Sequence, residues 1–265
     1  MSFSTAVSQR REWELAEIER SASEAQHTPD RRLRADEQNL NRYLDPPRDT
    51  AFPLEYVFSL LGDLRGRTVL DFGCGSGENT IALVRRSANV IAVDISPHLV
   101  HLAERRLQLN GLGGTARFVV ASAHDLPLDD ESVDIIVGIA ILHHLDLKVA
   151  AREVHRVLRP GGRAIFQEPV RDSRVIKALR RAIPYRPADV SPFERPLTSQ
   201  ELAEFATPFR KSSARAFLLP FLNVVQAVPV MKSAIPAAYR LDRAILARAP
   251  WLAPYAGVRV IELTK

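Results

Sequence analysis

One cysteine, Cys74, stands in 265 residues. It has no partner for an internal disulfide, and no Cys/His cluster has the spacing of a zinc site, so no structural metal is expected. Long apolar runs are missing too. No stretch of about 20 apolar residues occurs to span a bilayer. The opening segment "MSFSTAVSQRREWELAEIER" holds no apolar core of the signal-peptide kind, and the expectation is a cytoplasmic protein. The chain also lacks a basic block: the formal net charge is +5, from arginines scattered along its length. That is a weak nucleic-acid signature. The dense spots "DRRLR" at 30–34 and "RDSRVIKALRR" at 171–181 read first as solvated helix faces and second as a polyanion site. No internal repeat is evident.

What is present is ordinary for a globular chain, with 46% hydrophobic and 25% charged residues. Residues 10–26 read as an amphipathic helix, with Leu15, Ile18, Ala22 and Ala25 at helical spacing. Prolines 29, 46, 47 and 53 then punctuate a segment that suits a lead-in or lid over residues 1–60. From Thr68 the pattern changes. Short β-branched runs ("TVLDF", "NVIAVD", "ARFVVA", "VDIIVGIA", "GRAIFQE") alternate with helical segments. Strands that are apolar throughout, separated by amphipathic helices, indicate βαβ units around a parallel sheet buried on both faces.

Beyond Glu168, "LTSQELAEFA" predicts a helix capped by Thr198 or Ser199, and "RAFLLP" at 215–220 and "GVRVIELT" at 257–264 predict two more strands. A main domain over 61–265 is expected, with 170–210 and 221–256 as cap segments. The apolar stretch from Phe217 to Met231 is too short to cross a membrane. Three readings of it stand: core or lid helices, a lining for a hydrophobic substrate, or a face on a membrane surface.

The chemistry concentrates in "VLDFGCGSGENT", residues 69–80. In an open parallel sheet, ligands sit beyond the carboxyl ends of the strands, where Gly73, Gly75 and Gly77 fall. A dinucleotide fingerprint is G-x-G-x-x-G around a pyrophosphate, whereas this loop is G-x-G-x-G preceded by Asp71. A carboxylate beside a pyrophosphate costs Coulomb energy; beside an ammonium or sulfonium it gains. Asp94, ending the next strand, suits the paired hydroxyls of a ribose.

With these residues in this order the chain resembles the class I S-adenosylmethionine-dependent methyltransferases, above all the small-molecule and quinone-biosynthesis subgroup. The resemblance runs from Thr68 to Pro169 through "VDISPHLVHLAERR", "DLPLDDESVDIIV" and "ILHHLDLKVAAREVHRVLRPGGRAIFQEP". It implies an α/β, Rossmann-like doubly wound sheet, mostly parallel, of seven strands with the last antiparallel, plus helical lids. It implies S-adenosyl-L-methionine as cofactor, with Asp71 and the backbone around Gly73 and Cys74 at its methionine end. Gly75 and Gly77 would make room, Asp94 take the ribose, and Ile95 and Ile139 border the cofactor. Relatives commonly read "GDAEDLPF" where this chain reads "ASAHDLPL", which puts Ser122 and the Ala123 backbone where an aspartate meets the adenine. A serine hydroxyl lacks that charge-assisted strength.

A hydroxyl acceptor benefits from a base, and His143 and His144, after the fourth strand, are the first candidates, His143 being nearer the strand end. Alternatively the pair only stabilises its turn. His124, Glu168 and Tyr43 follow, and an acceptor already activated needs no base. The expected partner is a small hydrophobic or amphipathic acceptor, to be methylated on O or C rather than N, with arginines 171, 174, 180, 181 and 186 leaving room for an acidic group on it. "GIAILHHL" is not the motif of enzymes that methylate exocyclic amines of nucleic-acid bases, and no stacking platform supports RNA. The alternatives are an RNA methyltransferase, a nucleotide-dependent oxidoreductase, or a regulatory protein that binds the cofactor without catalysis.

Overall fold

The computed structural model describes residues 3–173 and 195–265. Its strands are β1 (Thr68–Phe72), β2 (Asn89–Asp94), β3 (Ala116–Val120), β4 (Val133–Ile139), β5 (Leu158–Pro169), β6 (Lys211–Phe217) and β7 (Val258–Thr264). They form one 7-stranded sheet in the order β3-β2-β1-β4-β5-β7-β6. β1 to β5 pair in parallel, and β7 runs antiparallel between β5 and β6. The doubly wound sheet with its last strand antiparallel is therefore as expected.

The helices are α1 (Phe3–Gln26), α2 (Asp30–Leu33), α3 (Glu37–Leu44), α4 (Pro53–Leu61), α5 (Glu78–Arg85), α6 (Pro97–Leu109), α7 (Leu147–Val157), α8 (Ser199–Phe205), α9 (Pro220–Ala227) and α10 (Ile235–Arg248). The sheet pleat sorts the side chains into two cores. Val69, Val137 and Ile165 face Phe58 of α4, Leu83 of α5 and Leu107 of α6. Leu70, Phe72 and Phe166 face Val154 of α7 and Phe205 of α8. Phe166 meets Phe72 and Phe205 edge-on, at ring separations of 6.0 and 5.4 Å. Burying each such side chain stabilises the fold by about 1.5–3 kcal/mol.

Local signals fix the helix starts. Ser96 accepts from Leu99 N–H ahead of Pro97 at the start of α6. Asp146 accepts from the N–H groups of Lys148 and Val149 at the start of α7. Of the two caps offered for α8 it is Thr198 that serves, in a reciprocal capping box with Glu201.

Some expectations change. Leu15 of α1 is 53% exposed, whereas Ile18, Ala22 and Ala25 of the same stripe are half-buried. β6 starts four residues before Arg215 and ends at Phe217, because Leu218 takes φ +69 and Pro220 opens α9. The arginines at 174, 180, 181 and 186 lie outside the described residues, as does most of the basic run at 171–181. No helix among the described residues is long and apolar enough to cross a membrane.

The insertion between β6 and β7 is a small unit of α9, α10 and two 3-10 turns, Pro229–Ala234 and Pro250–Tyr255, around Leu222, Val225 and Ala238. Its neck is tied by buried Asp242, whose carboxylate accepts Leu218 N–H at 3.0 Å and Leu219 N–H at 2.8 Å. Gly257 N–H closes it onto Leu218 O at 2.8 Å.

Candidate active site

A cleft of about 390 Å³ opens at the carboxyl ends of β1, β2 and β4, with α1 as its roof. Ligand pockets run from roughly 300 to 1,000 Å³, so this one takes a nucleoside-sized ligand and little more.

The glycine loop forms the floor. Gly73 and Cys74 both donate their N–H groups to Val93 O at 2.9 Å. Those donors are spent inside the protein, while Gly73 and Cys74 themselves line the cleft. Gly73, at φ +78, lies so close to the turn after β4 that a Cβ would come within 2.7 Å of Ile141. Gly75, at φ +50, would project a Cβ into open space. Its N–H donates to Asp94 Oδ2 at 2.9 Å, and Ser96 N–H donates to Oδ1 at 2.9 Å. A carboxylate has about four acceptor sites, so Asp94 keeps capacity for further donors. Burial pushes the Asp94 carboxyl above its usual range, against the pull of the Ser96 and Gly75 N–H groups. Cys74, Ile95, Ser122, Ala123 and Ile139 also border the cleft.

Two loop residues have other work. Gly77 caps α5 at φ +79, and a Cβ there would stand 2.9 Å from Ala103 of α6. It makes room for a helix, not for a ligand. Asp71 is 2% exposed and lies behind the loop, where the pleat of β1 aims it at α5 and Thr80 Oγ1 donates to its Oδ2 at 2.6 Å. Burial raises its carboxyl to about 7, Thr80 pulling it down and Asp94 adding to the rise. Asp71 is not among the residues that line the cleft; it fastens α5 to β1.

The histidine pair divides. Ala140, at φ +55, turns the chain after β4 into a 3-10 turn, Leu142–His144. His143 points into the protein, its Nδ1 2.8 Å from Glu168 Oε2, while Glu168 Oε1 accepts the N–H groups of Ile141 and Leu142 at 2.8 Å. The preference for His143 as base is therefore corrected, and Glu168, with no exposed surface, is part of the same scaffold. Tyr43 packs on Phe58 and does not line the cleft. His144 does line it.

His124 borders the cleft with both nitrogens engaged. Asp146 N–H donates to Nε2 at 2.9 Å, which leaves the proton on Nδ1, 3.0 Å from Glu14 Oε1. A nitrogen already accepting a backbone donor is not a free base.

The residues of the roof were not singled out in the sequence, although a lead-in or lid over residues 1–60 was expected. Trp13, Glu14, Glu17, Arg20 and Ser21 of α1 face the cleft, at positions i, i+1, i+4, i+7 and i+8 of one stripe. That stripe, carrying Trp13 among charges, was the available signal. Glu14 Oε1 accepts Ser122 Oγ–H at 2.5 Å. Glu17 Oε1 lies 3.3 Å from His144 Nδ1, and Arg20 reaches Glu17 Oε2 at 2.7 Å. Burial would raise the Glu17 carboxyl, but hydrogen bonds from His144 and Arg20 outweigh it and hold the group at about 2. An ionised carboxylate thus sits in the cleft.

Comparison with known proteins agrees with this architecture. Residues 70–166 match the family described as a methyltransferase domain. Over 105 residues, 39% of this chain and 47% of the relative, the sequence is 34% identical to O-methyltransferase rstn1 of Aspergillus nomiae. Over 122 residues, 43% of this chain and 49% of the relative, it is 34% identical to ubiquinone/menaquinone biosynthesis C-methyltransferase UbiE of Idiomarina loihiensis. The chain spans about half the length of the curated relatives it matches. Geranyl diphosphate C-methyltransferase of Streptomyces coelicolor A3(2) shares the fold, with a TM-score of 0.57 at 17% identity over 79% of this chain and 77% of that one. In its sheet order, its glycine loop and these matches, the chain carries over residues 70–166 a methyltransferase domain that is similar to those of the class I S-adenosylmethionine-dependent enzymes.

Proposed function

We propose that this protein transfers a methyl group from S-adenosylmethionine to a hydroxyl oxygen of a small amphipathic molecule. The observation that carries the reading is His144, lining the cleft with its Nδ1 on Glu17.

The cleft fits such a cofactor. Gly75 leaves the floor open where a Cβ would fill it, and Asp94 retains acceptor capacity for ribose hydroxyls. Ile95, Ser122 and Ala123 would border the adenine, and Glu17 supplies negative charge for a positively charged end. That role replaces the one first given to Asp71. Arg20 offers a cation to the carboxylate of the methionine end. When bound, the cofactor supplies an electrophilic methyl group on a sulfonium.

The chain's own part is alignment, exclusion of water and one proton transfer. With the Glu17 carboxylate 3.3 Å from Nδ1 favouring a proton on that nitrogen, His144 keeps its lone pair on Nε2, where it takes the proton of the acceptor hydroxyl. The imidazolium that results faces an ionised carboxylate. A carbon nucleophile already activated would need none of this, and so the Glu17–His144 pair favours oxygen.

The test begins with methyl-labelled cofactor and an extract of the protein's own cell, the labelled product being identified by mass. His144→Gln should leave cofactor binding by calorimetry within about twofold while lowering labelled product by roughly 10²–10⁴-fold. Full activity in that variant would remove the base. If neither S-adenosylmethionine nor its demethylated product binds better than an unrelated nucleoside, the whole reading fails, and tight binding with no labelled product would leave a cofactor-binding regulator.

A further inference from the structure

We propose that the insertion between β6 and β7 docks the protein on an anionic lipid surface. Large exposed apolar side chains are rare among the described residues: Leu15, Val120, Val224, Val230, Met231, Leu241, Trp251 and Tyr255. All but the first two belong to this one insertion. Val230 is 85% exposed, Trp251 73% and Val224 60%. A unit whose own core is Leu222, Val225 and Ala238 has turned its larger apolar groups to the outside. Scattered single residues of this kind need no explanation, but a concentration of them does.

The charges on the insertion are of one sign. Lys232, Arg240, Arg243 and Arg248 are exposed, while its single acid, Asp242, is buried and committed to the Leu218 and Leu219 N–H groups. Arg243 pairs with Asp49. Lys232, Arg240 and Arg248 meet no carboxylate among the described residues. On α10, Ala237, Arg240, Leu241, Ala244 and Arg248 fall at i, i+3, i+4, i+7 and i+11, one stripe distinct from the buried Ala238 and Asp242. Apolar and cationic residues on one stripe of α10, with an exposed tryptophan and tyrosine in the 3-10 turn that follows it, are what an interfacial element presents to anionic headgroups. A second copy of this chain fits less well. A twofold contact sets a patch against itself, and would bring these cations together.

The position gives the surface a use. β6 runs parallel to β5, since both are antiparallel to β7, so the insertion leaves the sheet at the edge where the cleft opens. Docking there brings the cleft toward the bilayer, from which an amphipathic acceptor would be drawn; this last clause rests on the proposed methyl transfer, whereas docking does not.

The test is co-sedimentation of the full chain with vesicles of phosphatidylcholine alone and of phosphatidylcholine with phosphatidylglycerol, which needs neither cofactor nor activity. Binding to the anionic vesicles, weakened by salt, is expected. The Val230→Ser/Trp251→Ser and Arg240→Glu/Arg248→Glu variants should each bind at least about tenfold more weakly, with unchanged unfolding midpoints because the residues are exposed. Absence of binding to anionic vesicles, equal binding by both variants, or a dimer in sedimentation that Trp251→Ser dissolves would each overturn the proposal. Vesicle binding without methylation would sink the proposed function and leave docking standing.

Discussion

The glycine loop on the floor of the cleft hangs from β2 by two bonds to a backbone carbonyl and one to the Asp94 carboxylate, whereas the helix over it is fastened by ionisable side chains. Gly73, Cys74 and Gly75 reach Val93 O and Asp94 at 2.9 Å, above strands buried on both faces. Glu14 and Glu17 of α1 reach Ser122, His124 and His144 through contacts of 2.5–3.3 Å. The difference separates a preformed binding surface from a cover. Backbone bonds in a buried sheet do not depend on pH or salt, while carboxylate–histidine contacts do.

The sharpest way to break the floor is Gly73→Ala. Its Cβ would collide with Ile141 at 2.7 Å on a backbone at φ +78, and overpacking plus left-handed strain should cost about 2–4 kcal/mol in urea unfolding. Asp94→Ala leaves the loop in place but removes two backbone anchors and the remaining acceptor sites. Loss of charge-assisted bonds worth about 1.5–3 kcal/mol should weaken cofactor binding roughly 10–100-fold by calorimetry.

Asp71→Asn should act in the opposite direction. A carboxyl raised from 3.8 to about 7 by burial binds its proton more tightly in the folded state. Its contribution to stability is full below the unfolded value and is lost as pH rises toward about 7. The variant should therefore be more stable than the parent at pH 8, by up to about 4 kcal/mol, and level with it near pH 4, as followed by thermal unfolding.

The roof yields to smaller pushes. Glu17 is held at about 2, so the stability it lends to α1 is present above its ordinary 4.5 and disappears as pH falls toward 2. Glu17→Gln should loosen α1 by about 0.5–1 kcal/mol, read as faster proteolysis within residues 3–26 while the sheet's unfolding midpoint holds. Equal protection of α1 in parent and variant would show that its packing on α6, rather than its charges, is what holds it.

How much could be read beforehand follows from the range of each interaction. The strand and helix alternation from Thr68, the cap at Thr198 and the strand-end position of Asp94 are local, and local pattern carries them. The side to which Asp71 points could not be read, because a strand apolar on both faces offers no polar face to orient it. His143 and His144 are neighbours in sequence, and their division was settled by Ala140 at φ +55 and by Glu168, 25 residues beyond His143. Glu14 and Ser122 are 108 residues apart, beyond any spacing rule.

By itself the sequence determined a parallel α/β sheet with a glycine loop and an acidic strand end at its carboxyl edge, because hydrophobic periodicity and glycine's conformational freedom act over a few residues. Only the tertiary structure decided which carboxylate lies in the cleft, which histidine faces it and what covers it. Those outcomes depend on pleat direction, burial and contacts between distant segments, and their energies exist only once the chain has folded.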